Sequence, residues 1–106
     1  MATELSTTVL VVDDELDIVK LITLLLKSRG YQTLSASNGR EALATFKANE
    51  DKVSLLLTDI LMPEMDGLEL AVQIRRLQPH LPILFVSGFC EKIPGSLKKW
   101  EGLGTC

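Results

Sequence analysis

Cysteine is scarce in this 106-residue chain: there are two, Cys90 and Cys106, and neither has a paired Cys or His near it. That spacing excludes a zinc site and a disulfide scaffold, leaving buried or idle thiols. Histidine occurs once, as His80 in the turn QPHLP, with no acid or cysteine beside it, so it reads as a solvated loop residue. Lys and Arg form no run, and the net charge is −3. Because phosphate binding needs clustered positive charge, no nucleic-acid surface is expected within this chain. No apolar stretch approaches the roughly 20 residues of a membrane span. The N-terminal MATELSTTVLVVDDE has neither the basic start nor the long apolar core of a signal peptide. The expectation is a cytoplasmic chain with no membrane segment.

What is present is the composition of a folded domain, 46% hydrophobic and 24% charged, too apolar for disorder. Residues 1–106 are read as one domain. TVLVV (8–12) is a β-branched run, and LDIVKLITLLLKSRG after it has helical character closed by Gly30. The alternation continues with YQTLSA (31–36), NGREALATFKANE capped by Asn38, VSLLLT (53–58), DGLELAVQIRRLQ and PILFVS (82–87). Asp66 and Glu69 have capping-box spacing. A short helix is expected near 96–102, with Lys98 and Lys99 as a solvated face and Trp100 as a packing residue. Strands alternating with helices predict a doubly wound α/β fold, in which a parallel sheet is covered on both faces and its strands are continuously apolar. The first helix is apolar nearly all round, from Leu16 to Leu26, and so calls for partners on two sides: the sheet and a second helix.

In such a sheet, ligands bind outside the carboxyl ends of the strands, where strand order reverses. Asp13, Asp14 and Asp59 all fall at carboxyl ends. With the order 2-1-3-4, the reversal lies between the first and third strands and the three acids converge. Like charges that close favour a neutralising cation, and oxygen-only ligands favour a hard ion such as Mg²⁺. That ion commonly bridges carboxylates to a phosphoryl group. Ser87 closes the fourth strand in the same plane, and Gly88 leaves room for a close approach. Taken singly, Asp13 and Asp14 read as first-turn acids of the first helix; for Asp59 a solvated strand-end acid and for Ser87 loop punctuation are the lesser readings. Met62 and Met65 read as packing residues.

VLVVDDE, TDILMPEMDG and FVSG together resemble the receiver domain of two-component response regulators, over about residues 8 to 88. The resemblance implies a flavodoxin-like doubly wound sheet with Asp59 as phosphoacceptor, taking a phosphoryl group from a sensor histidine kinase or phosphotransfer protein. It implies Mg²⁺ held by Asp13, Asp14, Asp59 and the backbone carbonyl of Leu61, with Ser87 contacting the phosphoryl group. It also implies a signalling domain and not an enzyme in the ordinary sense, although the domain could catalyse its own phosphorylation and dephosphorylation. A receiver continues into a fifth strand bearing a Lys, and then a fifth helix. Here GLGTC resembles the approach to that strand, so both elements are expected to be missing. The fourth strand would then be an exposed edge inviting a homo-oligomer. The alternative is a pseudo-receiver acting only as a protein-binding module. A Mg²⁺-dependent phosphatase ranks last, because its second acid would fall where Leu61 stands.

Overall fold

The computed structural model describes residues 7–62 and 65–86. Ser87, Cys90, the segment 96–102 and Cys106, on which expectations were placed, lie outside the described residues. The elements run β1 (Thr8–Val12), α1 (Leu16–Ser28), β2 (Gln32–Ala36), α2 (Gly39–Ala48), β3 (Val53–Asp59), α3 (Gly67–Leu77) and β4 (Ile83–Val86). All pairings are parallel, as the strand–helix alternation predicts, and the order is β2-β1-β3-β4.

Both faces of the sheet are covered, so both sides of each inner strand can be apolar. Leu10 and Val12 of β1 join Phe46 of α2, Leu70 and Ile74 of α3, Leu56 of β3, and Ile83 and Phe85 of β4 in one core. The intervening Val9 and Val11 turn to the other face, where Leu57 and Val19 of α1 meet them. The period-2 side-chain alternation is intact, and only its polarity contrast is missing.

Local chemistry ends each helix where the sequence indicates. Gly30 adopts φ +92, its N–H donating to Lys27 O at 3.0 Å and that of Tyr31 to Leu26 O at 3.1 Å. This left-handed closure satisfies the last carbonyls of α1. Asn38 Oδ1 accepts from Glu41 N at 2.7 Å and Asp66 Oδ1 from Glu69 N at 2.9 Å, satisfying otherwise free donors at the starts of α2 and α3.

Helix α1 has one of the two covers that its apolar surface calls for. Its contacts are chiefly with β1 and β2, and Val19 is its one buried residue. Leu16, Leu21, Leu24 and Leu25 are all more than half exposed. The sheet covers one side of an all-round apolar helix, and among the described residues its opposite side stays open.

Candidate functional site

Strand register assembles the site. Val12 of β1 stands opposite Thr58 of β3, so the next residues, Asp13 and Asp59, leave the sheet side by side at the point where strand order reverses. Carboxylate oxygens of Asp13, Asp14 and Asp59 all lie within 4.8 Å of one another. Asp13 is buried, Asp59 half-buried and Asp14 exposed. Thr58 points inward and is fully buried, as its place in the alternation requires.

Asp13 and Asp59 are both held by backbone. Asp13 Oδ1 accepts from Glu15 N at 2.9 Å, and the Asp13 N–H donates to Ala36 O at 3.2 Å. Asp59 Oδ1 accepts from Ile60 N at 2.8 Å. Burial pushes the Asp59 carboxyl above its ordinary value of 3.8, opposed by the N–H groups of Ile60 and Leu61 and reinforced by the negative charges of Asp14 and Glu15. Asp13 is likewise raised, first by burial and then by Asp59 and Asp14, against the Glu15 N–H. Both shifts mark carboxylates crowded together in a partly dry site.

The donor set consists of hard oxygens carrying excess negative charge, which suits Mg²⁺ and not a soft metal. Carboxylate oxygens within 4.8 Å of one another are close enough to be shared by one small cation.

Sequence reasoning brought the three acids together correctly. It missed the Ile60 and Leu61 N–H groups as partners of Asp59, because backbone donors carry no residue-type signal. It also read Asp66-Gly67 only as a turn and cap. Gly67 N donates to Ile60 O at 2.8 Å, folding the loop after β3 back on itself, and the Asp-Gly pair was the one available hint. Leu61 follows in that loop with its side chain 67% exposed.

A doubly wound parallel domain with a carboxylate cluster at its switch point defines a class of α/β modules that bind their ligands there. Within that class, the family model described as response regulator receiver domain matches residues 9–94, and the chain belongs to that family, with its flavodoxin-like fold. Receiver domains serve response regulators and sensor kinases, and phosphoacceptance is general among them. The chain is 40% identical over 81 residues to the response regulator receiver protein CpdR of Brucella abortus, covering 76% of this chain and 66% of that protein. It is 41% identical over 93 residues to the sensor kinase CckA of the same organism, covering 85% of this chain and 10% of CckA. Against the transcriptional regulatory protein GlrR of Escherichia coli it is 38% identical over 78 residues, covering 74% of this chain and 17% of GlrR. The chain thus spans a small part of the larger relatives. The response regulator TrrA of Thermotoga maritima, solved with Mg²⁺-BeF, aligns with TM-score 0.72 and 34% identity over 82% of this chain and 76% of that one. A complex of histidine kinase ThkA with TrrA aligns with TM-score 0.72 and 36% identity over 78% and 70%. Among the described residues, no helix is long and apolar enough to cross a membrane.

Proposed function

We propose that this chain is a phosphoacceptor module of a two-component system, with Asp59 as the group that takes the phosphoryl. The observation that carries the reading is the convergence of Asp13, Asp14 and Asp59 within 4.8 Å at the switch point, on a chain of the receiver family. Asp13, Asp14, Asp59 and the Leu61 carbonyl would hold Mg²⁺, which when bound offsets charge on the phosphoryl oxygens. A carboxylate oxygen of Asp59 attacks the phosphorus of a kinase phosphohistidine; the P–N bond breaks as the P–O bond forms, and the imidazole leaves with the electron pair. The Ile60 N–H, on Asp59 Oδ1 at 2.8 Å, fixes the carboxylate for this attack. Asp14 would ligate the metal directly, and Asp13 would hold it through water or directly. Ser87 is assigned the phosphoryl contact from its place after β4. The partner is a sensor histidine kinase or phosphotransfer protein, a role consistent with the ThkA–TrrA complex of a relative. A cytoplasmic setting and a single domain over residues 1–106 belong to the same reading.

Incubation with Mg²⁺ and a small acyl phosphate tests this by intact mass. One phosphoryl group should be added, and no adduct should form in chelator or in Asp59→Asn. Wild-type chain without an adduct would sink the reading and favour a module that only binds protein. The observation behind that second reading is the exposed leucine surface of α1.

A further inference from the structure

Two glycines press on the loop that follows Asp59. A Cβ built on Gly67 would overlap the Asp59 carbonyl oxygen and lie 3.0 Å from the Asp59 carbonyl carbon and 3.1 Å from Ile60 Cα. That carbonyl also accepts a 2.9 Å hydrogen bond from the hydroxyl of Thr58, which is fully buried, so moving it away disturbs that bond. At the loop's other end, a Cβ on Gly39, the first residue of α2, would fall 2.5 Å from Met65 O and 2.8 Å from Met65 Cβ and Cγ. Gly39 is itself fixed, since Asn38 caps α2 and Glu41 Oε1 accepts from Ser37 N at 2.6 Å. Neither glycine is in left-handed backbone; Gly30 is the positive-φ glycine of the described residues. What Gly39 and Gly67 contribute is the absence of a side chain.

We infer that Gly67, seconded by Gly39, is a positioning residue for the phosphoacceptor: the bare Gly67 Cα lets the loop close onto the Asp59 carbonyl, and that closure holds the Ile60 N–H on the Asp59 carboxylate. The inference rests on the phosphoacceptor reading above. Any side chain at 67 must push the end of β3 and the start of α3 apart. This strains the Gly67 N–Ile60 O bond and moves the Ile60 N–H off Asp59 Oδ1. An attacking oxygen misplaced by about 1 Å can lose on the order of a hundredfold in rate.

The test compares Gly67→Ala and Gly39→Ala with Gly30→Ala, whose Cβ meets nothing within 4 Å and which destabilises the fold through backbone strain alone. Phosphorylation by a small acyl phosphate is measured in saturating Mg²⁺, at a temperature where every variant compared is folded. Hydrogen exchange at the Ile60 amide is measured without phosphodonor. Gly67→Ala should lower the maximum rate on the order of a hundredfold with the half-saturating donor concentration little changed, and should remove protection of the Ile60 amide. Gly39→Ala should do the same more mildly, and it carries the test should Gly67→Ala fail to fold. Gly30→Ala should keep both the wild-type maximum rate and Ile60 protection. A folded Gly67→Ala or Gly39→Ala that retains both properties, or that loses them only as far as Gly30→Ala does, overturns the inference. Because amide protection needs no phosphodonor, it judges the positioning even if the wild-type chain fails to accept phosphate.

Discussion

Replacing Asp59 by Asn should make the metal-free domain more stable while abolishing phosphoacceptance. Asn preserves shape and keeps an Oδ1 for the 2.8 Å bond from Ile60 N, but it removes one negative charge from the cluster. Two unit charges 4.8 Å apart repel by about 0.9 kcal/mol in a water-like medium and about 3.5 kcal/mol at an effective dielectric of 20. With Asp14 exposed and Asp59 half-buried, the lower end applies, and two relieved pairs give about 1–2 kcal/mol. For a small domain this is roughly 5–10 °C in Tm. The folded-state pKa values of Asp13 and Asp59 lie above their ordinary 3.8. Between the ordinary and raised values, the folded chain therefore binds more protons than the unfolded one, and wild-type stability falls as pH rises. The advantage of Asn should accordingly be small near pH 4 and full at pH 7.5. Thermal unfolding in chelator at both pH values, then in Mg²⁺, checks this. Mg²⁺ at a hundredfold excess over its Kd should return about 2.7 kcal/mol to the wild type and much less to the variant. A variant that is less stable than wild type in chelator at pH 7.5, or whose advantage is the same at both pH values, refutes the picture of crowded, uncompensated carboxylates.

Other outcomes follow from the same structure. Phe46→Ala empties a fully buried site between α2 and the sheet and should lower stability by about 3–5 kcal/mol in denaturant melts. Asn38→Ala and Asp66→Ala each remove a capping acceptor and should destabilise by about 1 kcal/mol apiece in thermal melts. Gly30→Ala forces a Cβ into left-handed backbone and should cost about 1–2 kcal/mol in thermal melts with the cluster of acids unaffected. Asp13→Asn should weaken Mg²⁺ binding, followed by calorimetry, while raising stability in chelator for the reason given for Asp59.

Most of the fold was legible because the signals are local. Continuous apolar runs such as VLVV and ILFV mark strands buried on both faces. Asn38, Asp66 and Gly30 mark helix ends, and the strand–helix alternation admits few topologies. The site was legible only as a combination: Asp13, Asp14 and Asp59 are each ordinary strand-end or helix-start acids until strand order makes them neighbours. The backbone donors to Asp59 were not legible, since every residue but proline carries an N–H and the sequence does not say where it will point.

The sequence by itself determined the element order, the caps, the parallel doubly wound class and the identity of the clustered acids, because each depends on residue type and spacing along the chain. Only the tertiary structure decided how Asp59 is held. The overlap that any side chain at Gly67 would make with the Asp59 carbonyl, the buried Thr58 hydroxyl on that same carbonyl and the Gly39–Met65 contact are approaches between segments. They depend on how β3, α2 and α3 pack together, and nothing in the spacing of the residues announces them.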